Sequence, residues 1–341
     1  MAVKFDRGSG LYHFAVLRGL TALMAAVLAA ACSSGAPTSA AKAAPASSVT
    51  PAASPSLTVG PVVSTGPPQR EEPPLPAAVQ ETAAAVGGGL LYVIGGYDSA
   101  GHSTSSVFVY DRVRWSSGPR LPAALDHPAA ASAAGDLYVV GGFNNGSTSG
   151  RVFRLAGDHW DEVTGLRHPR GALGLVGLGD KLYAIGGNDG NKQVAATEVF
   201  DTATRVWQDL APLPAPRNHV ASFAYLGMAC VAGGRPPNVA SVDCYDPVTA
   251  AWQRLPSLPT ATSGAGATAL ADQVVIAGGE NTDSNAVVGQ VVRLQGGGWR
   301  TEAMLHPRHG IQLAVLDGRA WACGGGTNVG VSAVSMCTSI G

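Results

Sequence analysis

The chain has 341 residues, room for one large domain or two ordinary ones. Charged residues make up only 13% of it while glycine, with 45 copies, is abundant, which argues against a helical protein and for a tightly turned all-β one. The formal net charge is −1, and setting aside residues 1–31 leaves 19 basic against 22 acidic residues; that excludes the basic stripe of a nucleic-acid binder and any polybasic membrane-binding segment.

The N-terminus reads as an export signal. Lys4, Arg7 and Arg18 form a positive flank, followed by an apolar run over residues 19–31. Such a run is too short to span a bilayer comfortably and suits the core of a signal peptide. No Arg-Arg pair precedes it, so the general secretory route is expected. The run ends at Cys32, after Ala29, Ala30 and Ala31 and before Ser33, Ser34 and Gly35. This resembles the lipobox of bacterial lipoproteins, which implies a lipid on Cys32 and anchoring to a membrane surface. Ala29 stands where leucine is usual, with Leu28 one place earlier, and ordinary cleavage after Ala31, giving a secreted protein, is the alternative. From Cys32 to Pro68 the chain is almost entirely Ala, Ser, Pro, Thr and Gly. That composition cannot bury a core and reads as a flexible tether.

From residue 69 to 341 one unit repeats. Short apolar runs close on glycine pairs at Gly95-Gly96, Gly141-Gly142, Gly186-Gly187, Gly233-Gly234, Gly278-Gly279 and Gly324-Gly325, spaced by 46, 45, 47, 45 and 46 residues. A tryptophan follows each of the first five pairs (Trp115, Trp160, Trp207, Trp252, Trp299), and six residues beyond each comes a leucine (Leu121, Leu166, Leu213, Leu258, Leu305). The run before each pair reads as a strand covered on both faces, and Asp111, Asp201 and Asp246 open turns between later strands. Four strands in about 45 residues, without helical periodicity, describe a propeller blade. The glycine pairs mark close backbone approach.

The pattern of apolar strand, Gly-Gly, Tyr/Phe-Asp and tryptophan resembles the kelch repeat. The resemblance implies an all-β, six-bladed propeller of four antiparallel strands per blade. After Gly324-Gly325 the chain adds one strand, over residues 331–338, and stops; Leu75-Pro76 aligns with Leu213-Pro214. The segment 69–73 is therefore expected to supply the outer strand of the last blade, with Gln69 where other blades carry tryptophan, so that no sheet edge is left open.

Four further cysteines allow three pairings. Cys230 and Cys244 are 14 residues apart, as are Cys323 and Cys337, and each pair straddles a turn. The repeat register places the partners opposite one another on adjacent strands, which favours two disulfides within blades over four free thiols. A zinc site is the poorer reading, because the cysteines sit on different blades and lack Cys-x-x-Cys spacing.

A propeller's usual site is the mouth of its axial channel. Sixteen residues before the glycine pairs stand Val79, Leu125, Arg170, Arg217, Thr262 and Arg308; fourteen or fifteen before stand Glu81, His127, His219 and His309. Arg170, Arg217 and Arg308 could converge on a carboxylate or brace their own blades, and both readings stand. The loops at Asn188-Asp189-Gly190 and Glu280-Asn281 read as turns rather than metal sites. The histidines sit on separate blades without the helical spacing of a metalloprotease, and no serine elbow or phosphate loop is present. These features lead us to expect a binding module for a protein, peptide or glycan at the channel mouth, with Arg170, Arg217, Arg308, His127, His219 and His309 as its candidate ligand-binding residues and with no metal, no cofactor and no catalytic residue. A six-bladed periplasmic kelch family that interconverts sialic-acid anomers is similar in architecture, and an enzyme acting on an acidic sugar is the alternative that resemblance implies.

Overall fold

The computed structural model describes residues 68–341 except Asp272. The export signal, Cys32 and the tether up to residue 67 lie outside the described residues. Among those described there is no helix. Six sheets of four antiparallel strands follow one another, and each of the first five is built from consecutive chain. Blade 1 comprises Ala83–Gly87, Leu90–Ile94, Val107–Tyr110 and Trp115–Ser117. The second strand of every blade is apolar and buried on both faces, as the continuous runs predict. Each innermost strand touches those of the blades before and after it, and the last, Leu313–Leu316, returns to the first, Ala83–Gly87.

Two circles of backbone hydrogen bonds close the ring. In one, the second glycine of each pair donates to the residue sixteen places before the next blade's pair: Gly96 to Leu125, Gly142 to Arg170, Gly187 to Arg217, Gly234 to Thr262, Gly279 to Arg308, and Gly325 back to Val79, all within 2.8–3.0 Å. A Cβ on Gly96 would stand 2.4 Å from the Gln80 carbonyl oxygen, and the glycine has φ +94°, so no other residue fits there. In the second circle the residues fourteen before each pair bond one another. Glu81 donates to Gly310, Gly310 to Gly264, Gly264 to His219, His219 to Ala172, Ala172 to His127, and His127 to Glu81, again within 2.8–3.0 Å.

The last blade closes as expected. Gln69–Glu72 pairs antiparallel with Cys337–Ile340, Gln69 opposite Ile340. The final strand is shorter and later than 331–338, because Ala333 and Val334 instead bridge to Gly326 and Val79. The disulfides join Cys230 to Cys244 and Cys323 to Cys337, each between residues directly opposite in the strand register.

One repeat position is corrected. Leu121, Leu166, Leu213 and Leu258 are buried between blades, but Leu305 is exposed and Met304 fills that place in blade 5. The crossing from Trp299 is one residue shorter there. The Met304 amide donates to Gly289, as the Leu258 amide donates to Ala240.

Candidate functional site

The three arginines do not meet. Arg170 and Arg308 have no exposed surface and Arg217 only 2%. Arg170 donates to the carbonyls of Gly186, His168 and Ala184 and pairs with the buried Glu198. Arg217 donates to Gly233 and Ala215 and pairs with Asp243 at 2.7 Å. Arg308 donates to His306, Ala322 and the Thr338 hydroxyl, and burial pushes its guanidinium down to about 10. Each is bound to its own blade, so the bracing reading holds and the carboxylate clamp is withdrawn. The physical reason is local: this position turns its carbonyl to the neighbouring glycine pair and its side chain into the blade.

The histidines, by contrast, converge. The residues of the second hydrogen-bonded circle all have left-handed backbone: Glu81 (φ 52°), His127 (49°), Ala172 (52°), His219 (52°), Gly264 (62°) and Gly310 (64°). Held this way, a non-glycine residue costs about 1–3 kcal/mol, a strain that clusters at functional sites. Three of the four that bear it point their side chains at one another across the axis. One donor atom each from Glu81, His127 and His219 lies within 4.8 Å of the others. Being on separate blades spoke against a shared site in the sequence; closure of the ring removes that objection.

Each group is held from behind. Asp126 Oδ1 lies 2.6 Å from His127 Nδ1, and Asp126 Oδ2 accepts from Ser103 Oγ at 2.5 Å. Asn218 Oδ1 lies 2.6 Å from His219 Nδ1, while Arg235 Nη2 is 2.9 Å from His219 Nε2. A guanidinium only donates, so Nε2 of His219 accepts and its Nδ1 carries the proton. His309, fifteen residues before its glycine pair, has Nε2 2.8 Å from the Asn328 carbonyl and Nδ1 3.4 Å from Glu81 Oε1.

These contacts split the titrations. Burial alone would raise Glu81, but the charge of His127, with His309 3.4 Å away and His219 beside it, carries it far below the usual carboxylate range. Burial works against charge on His127 and His309, yet Glu81, with Asp126 for the first and Glu280 for the second, raises both above the ordinary imidazole value. Burial, with His127 and Arg235 beside it, pushes His219 well below that value. Burial, Asp126 and Glu81 push the Tyr97 phenol up to about 12.

Above this cluster the axis opens into a cavity of about 270 Å³ whose lining includes Gln80, Tyr97, Arg235, Glu280, His309 and Val331. Arg235 pairs with the buried Glu280. Below it, Gln312 crosses from blade 6 to blades 1 and 2, accepting from the Ala84 and Ala130 amides and donating to the Ala130 carbonyl at 2.7 Å. The mouth is thus a pocket with a polar floor. Sequence reasoning missed Tyr97 and Arg235 and read Glu280 as part of a turn, where the structure has a short strand, Glu280–Asn281. All three directly follow a glycine pair, and each bridges to the residue fifteen before its own pair; that shared register was the available signal.

A family model described as the KLHDC2/KLHL20/DRC7 Kelch-repeats domain matches residues 80–279. Among curated proteins, Kelch-like protein 33 of Homo sapiens is 29% identical over 161 residues, 47% of this chain and 22% of that protein. Kelch-like protein 4 of Homo sapiens is 39% identical over 57 residues, 17% of this chain and 8% of that protein. Beta-scruin of Limulus polyphemus is 31% identical over 84 residues, 24% of this chain and 9% of that protein. The matches thus span less than a quarter of the length of these relatives. The solved structure titled "Structure of YjhT" superimposes with a TM-score of 0.67 at 16% identity, covering 78% of this chain and 95% of that one, a likeness of fold alone. With six four-stranded blades and a family match over more than half its length, the chain belongs to the kelch-repeat family of β-propellers.

Proposed function

We propose that this propeller is an extracytoplasmic binding module, held at a membrane surface by a lipid on Cys32, that takes a protein, peptide or glycan ligand at the axial mouth. The observation that carries the binding reading is the mouth itself, a cavity of about 270 Å³ with Arg235 and Glu280 on its wall and Val331 exposed at its rim. Small-molecule pockets typically run about 300–1,000 Å³, so this one suits a single side chain or sugar ring presented by a larger partner. The wall carries both charge signs, which fits a polar ligand offering donors and acceptors together rather than a simple anion. The acidic-sugar reading rested on three converging arginines, and their commitment to their own blades leaves it without a carboxylate clamp.

The test is capture from envelope extract by the full chain and by its Arg235→Ala, Glu280→Gln and Val331→Asp variants. Loss of one specific captured species in all three supports the mouth; equal capture by all three contradicts it. The anchor is tested separately by Cys32→Ala, which should move the protein from the membrane to the soluble fraction and abolish incorporation of labelled palmitate. Retention on the membrane by that variant contradicts lipidation.

A further inference from the structure

We propose that Glu81, His127 and His219 form a binding site for one divalent transition-metal ion of the zinc class on the propeller axis. Two imidazoles and a carboxylate are a recurrent three-ligand zinc set, with a fourth position left for water or ligand. The donors come from blades 1, 2 and 4, and the ring that positions them is backbone-bonded from end to end. Ligands about 2.1 Å from a tetrahedral ion stand about 3.4 Å apart. His127 Nε2 and Glu81 Oε2 are already 3.4 Å apart, and no pair among the three exceeds 4.8 Å.

Three further observations favour an ion here. Metal-binding histidines almost always engage their second ring nitrogen with a carboxylate, carbonyl or other acceptor. His127 does so with Asp126 and His219 with Asn218, each at 2.6 Å, which directs both Nε2 atoms to the axis. The site is also shielded, since the side chains of Glu81 and His127 are only 10% and 13% exposed. Finally, two buried polar atoms facing the cluster, His309 Nδ1 and Glu280 Oε2, make no well-formed hydrogen bond among the described residues, Nδ1 standing 3.4 Å from Glu81 Oε1. They lie 3.6 Å from one another. Buried polar atoms are rarely left so, and both residues are at most 2% exposed. Arg235 now occupies the His219 Nε2 lone pair; its side chain is 22% exposed at the mouth and remains paired with Glu280, so an ion displaces it from that nitrogen alone. A metal on the axis is independent of what docks above it.

The test uses the full chain without a histidine tag, stripped with chelator and titrated with zinc against a fluorescent chelator. The expected result is one zinc per chain, with affinity reduced at least tenfold by His127→Ala or His219→Ala and about 10–100-fold by Asp126→Asn. Ala172 occupies the equivalent ring position with the same left-handed backbone, so alanine fits there. X-ray absorption of the wild-type zinc protein should show at least two imidazoles on the ion, a readout that needs no variant to fold. Negligible zinc, an oxygen-only shell, or one zinc per chain bound equally well by both histidine variants would overturn the proposal. Because zinc is the probe and no partner is present, failure of the docking reading leaves this result unaffected.

Discussion

Gln69 Nε2 donates to the Ala303 carbonyl at 2.7 Å, and Gln69 Oε1 accepts from the Leu305 amide, two residues on, at 2.8 Å. In the other five blades this tie to the preceding blade is made by tryptophan: Trp115 Nε1 to Pro73, Trp160 to Pro119, Trp207 to Thr164, Trp252 to Ala211 and Trp299 to Pro256, within 2.7–3.0 Å. A side-chain amide thus substitutes for an indole N–H where the first and last strands of the propeller meet.

Gln69→Ala removes both bonds of that clasp. At about 0.5–1.5 kcal/mol per hydrogen bond, the expected loss is about 1–3 kcal/mol in urea denaturation. Amides of Cys337–Ile340 should become the least protected of the last blade in hydrogen exchange. Unchanged stability would show that the clasp is dispensable.

Buried Arg170 and Glu198 in blade 3 correspond to Leu125 and Phe153 in blade 2. Removing one partner of a buried pair strands the other charge, and Arg170→Leu should cost about 3–5 kcal/mol. Adding Glu198→Phe recreates the blade 2 pairing and should recover most of it. A double variant as unstable as the single one would contradict this reading.

Lys181 Nζ lies 2.7 Å from Asp201 Oδ2, and this bond with those of the following turn holds Asp201 down to about 2. An unfolded aspartate titrates near about 3.9. The pair's contribution is therefore present above about pH 4 and lost as pH falls through the folded value. Lys181→Met should melt lower than wild type at pH 5, with the gap closing by pH 2. A gap independent of pH would contradict the pairing.

What was legible in the sequence was what each blade does for itself. The glycine pairs exposed the repeat because only glycine tolerates the Gln80 carbonyl 2.4 Å from a would-be Cβ, and Leu75-Pro76 fixed the register of the clasp. The cysteine pairs followed from the same register. The arginines misled because their position lies beside the axial loops in sequence while its side chain turns into the blade. The corrective signal was a partner: Glu198 and Asp243 stand opposite in blades 3 and 4, where blades 1 and 2 carry Phe108 and Phe153. Met304 was hidden because counting forward from Trp299 overlooks the shortened crossing; counting back four from Arg308, as Leu213 precedes Arg217, finds it. Glu81, His127 and His219 were legible as equivalent positions fourteen residues before their glycine pairs; that three unlike side chains from blades 1, 2 and 4 reach one another across the axis depends on closure of the whole ring, which the spacing alone does not measure.

The ring is tested most directly by scalar couplings measured across hydrogen bonds in a deuterated, isotope-labelled sample. The account predicts six amide-to-carbonyl correlations in cyclic order, including Glu81 to Gly310. Five correlations with that one missing would mean an open array, and would contradict the account.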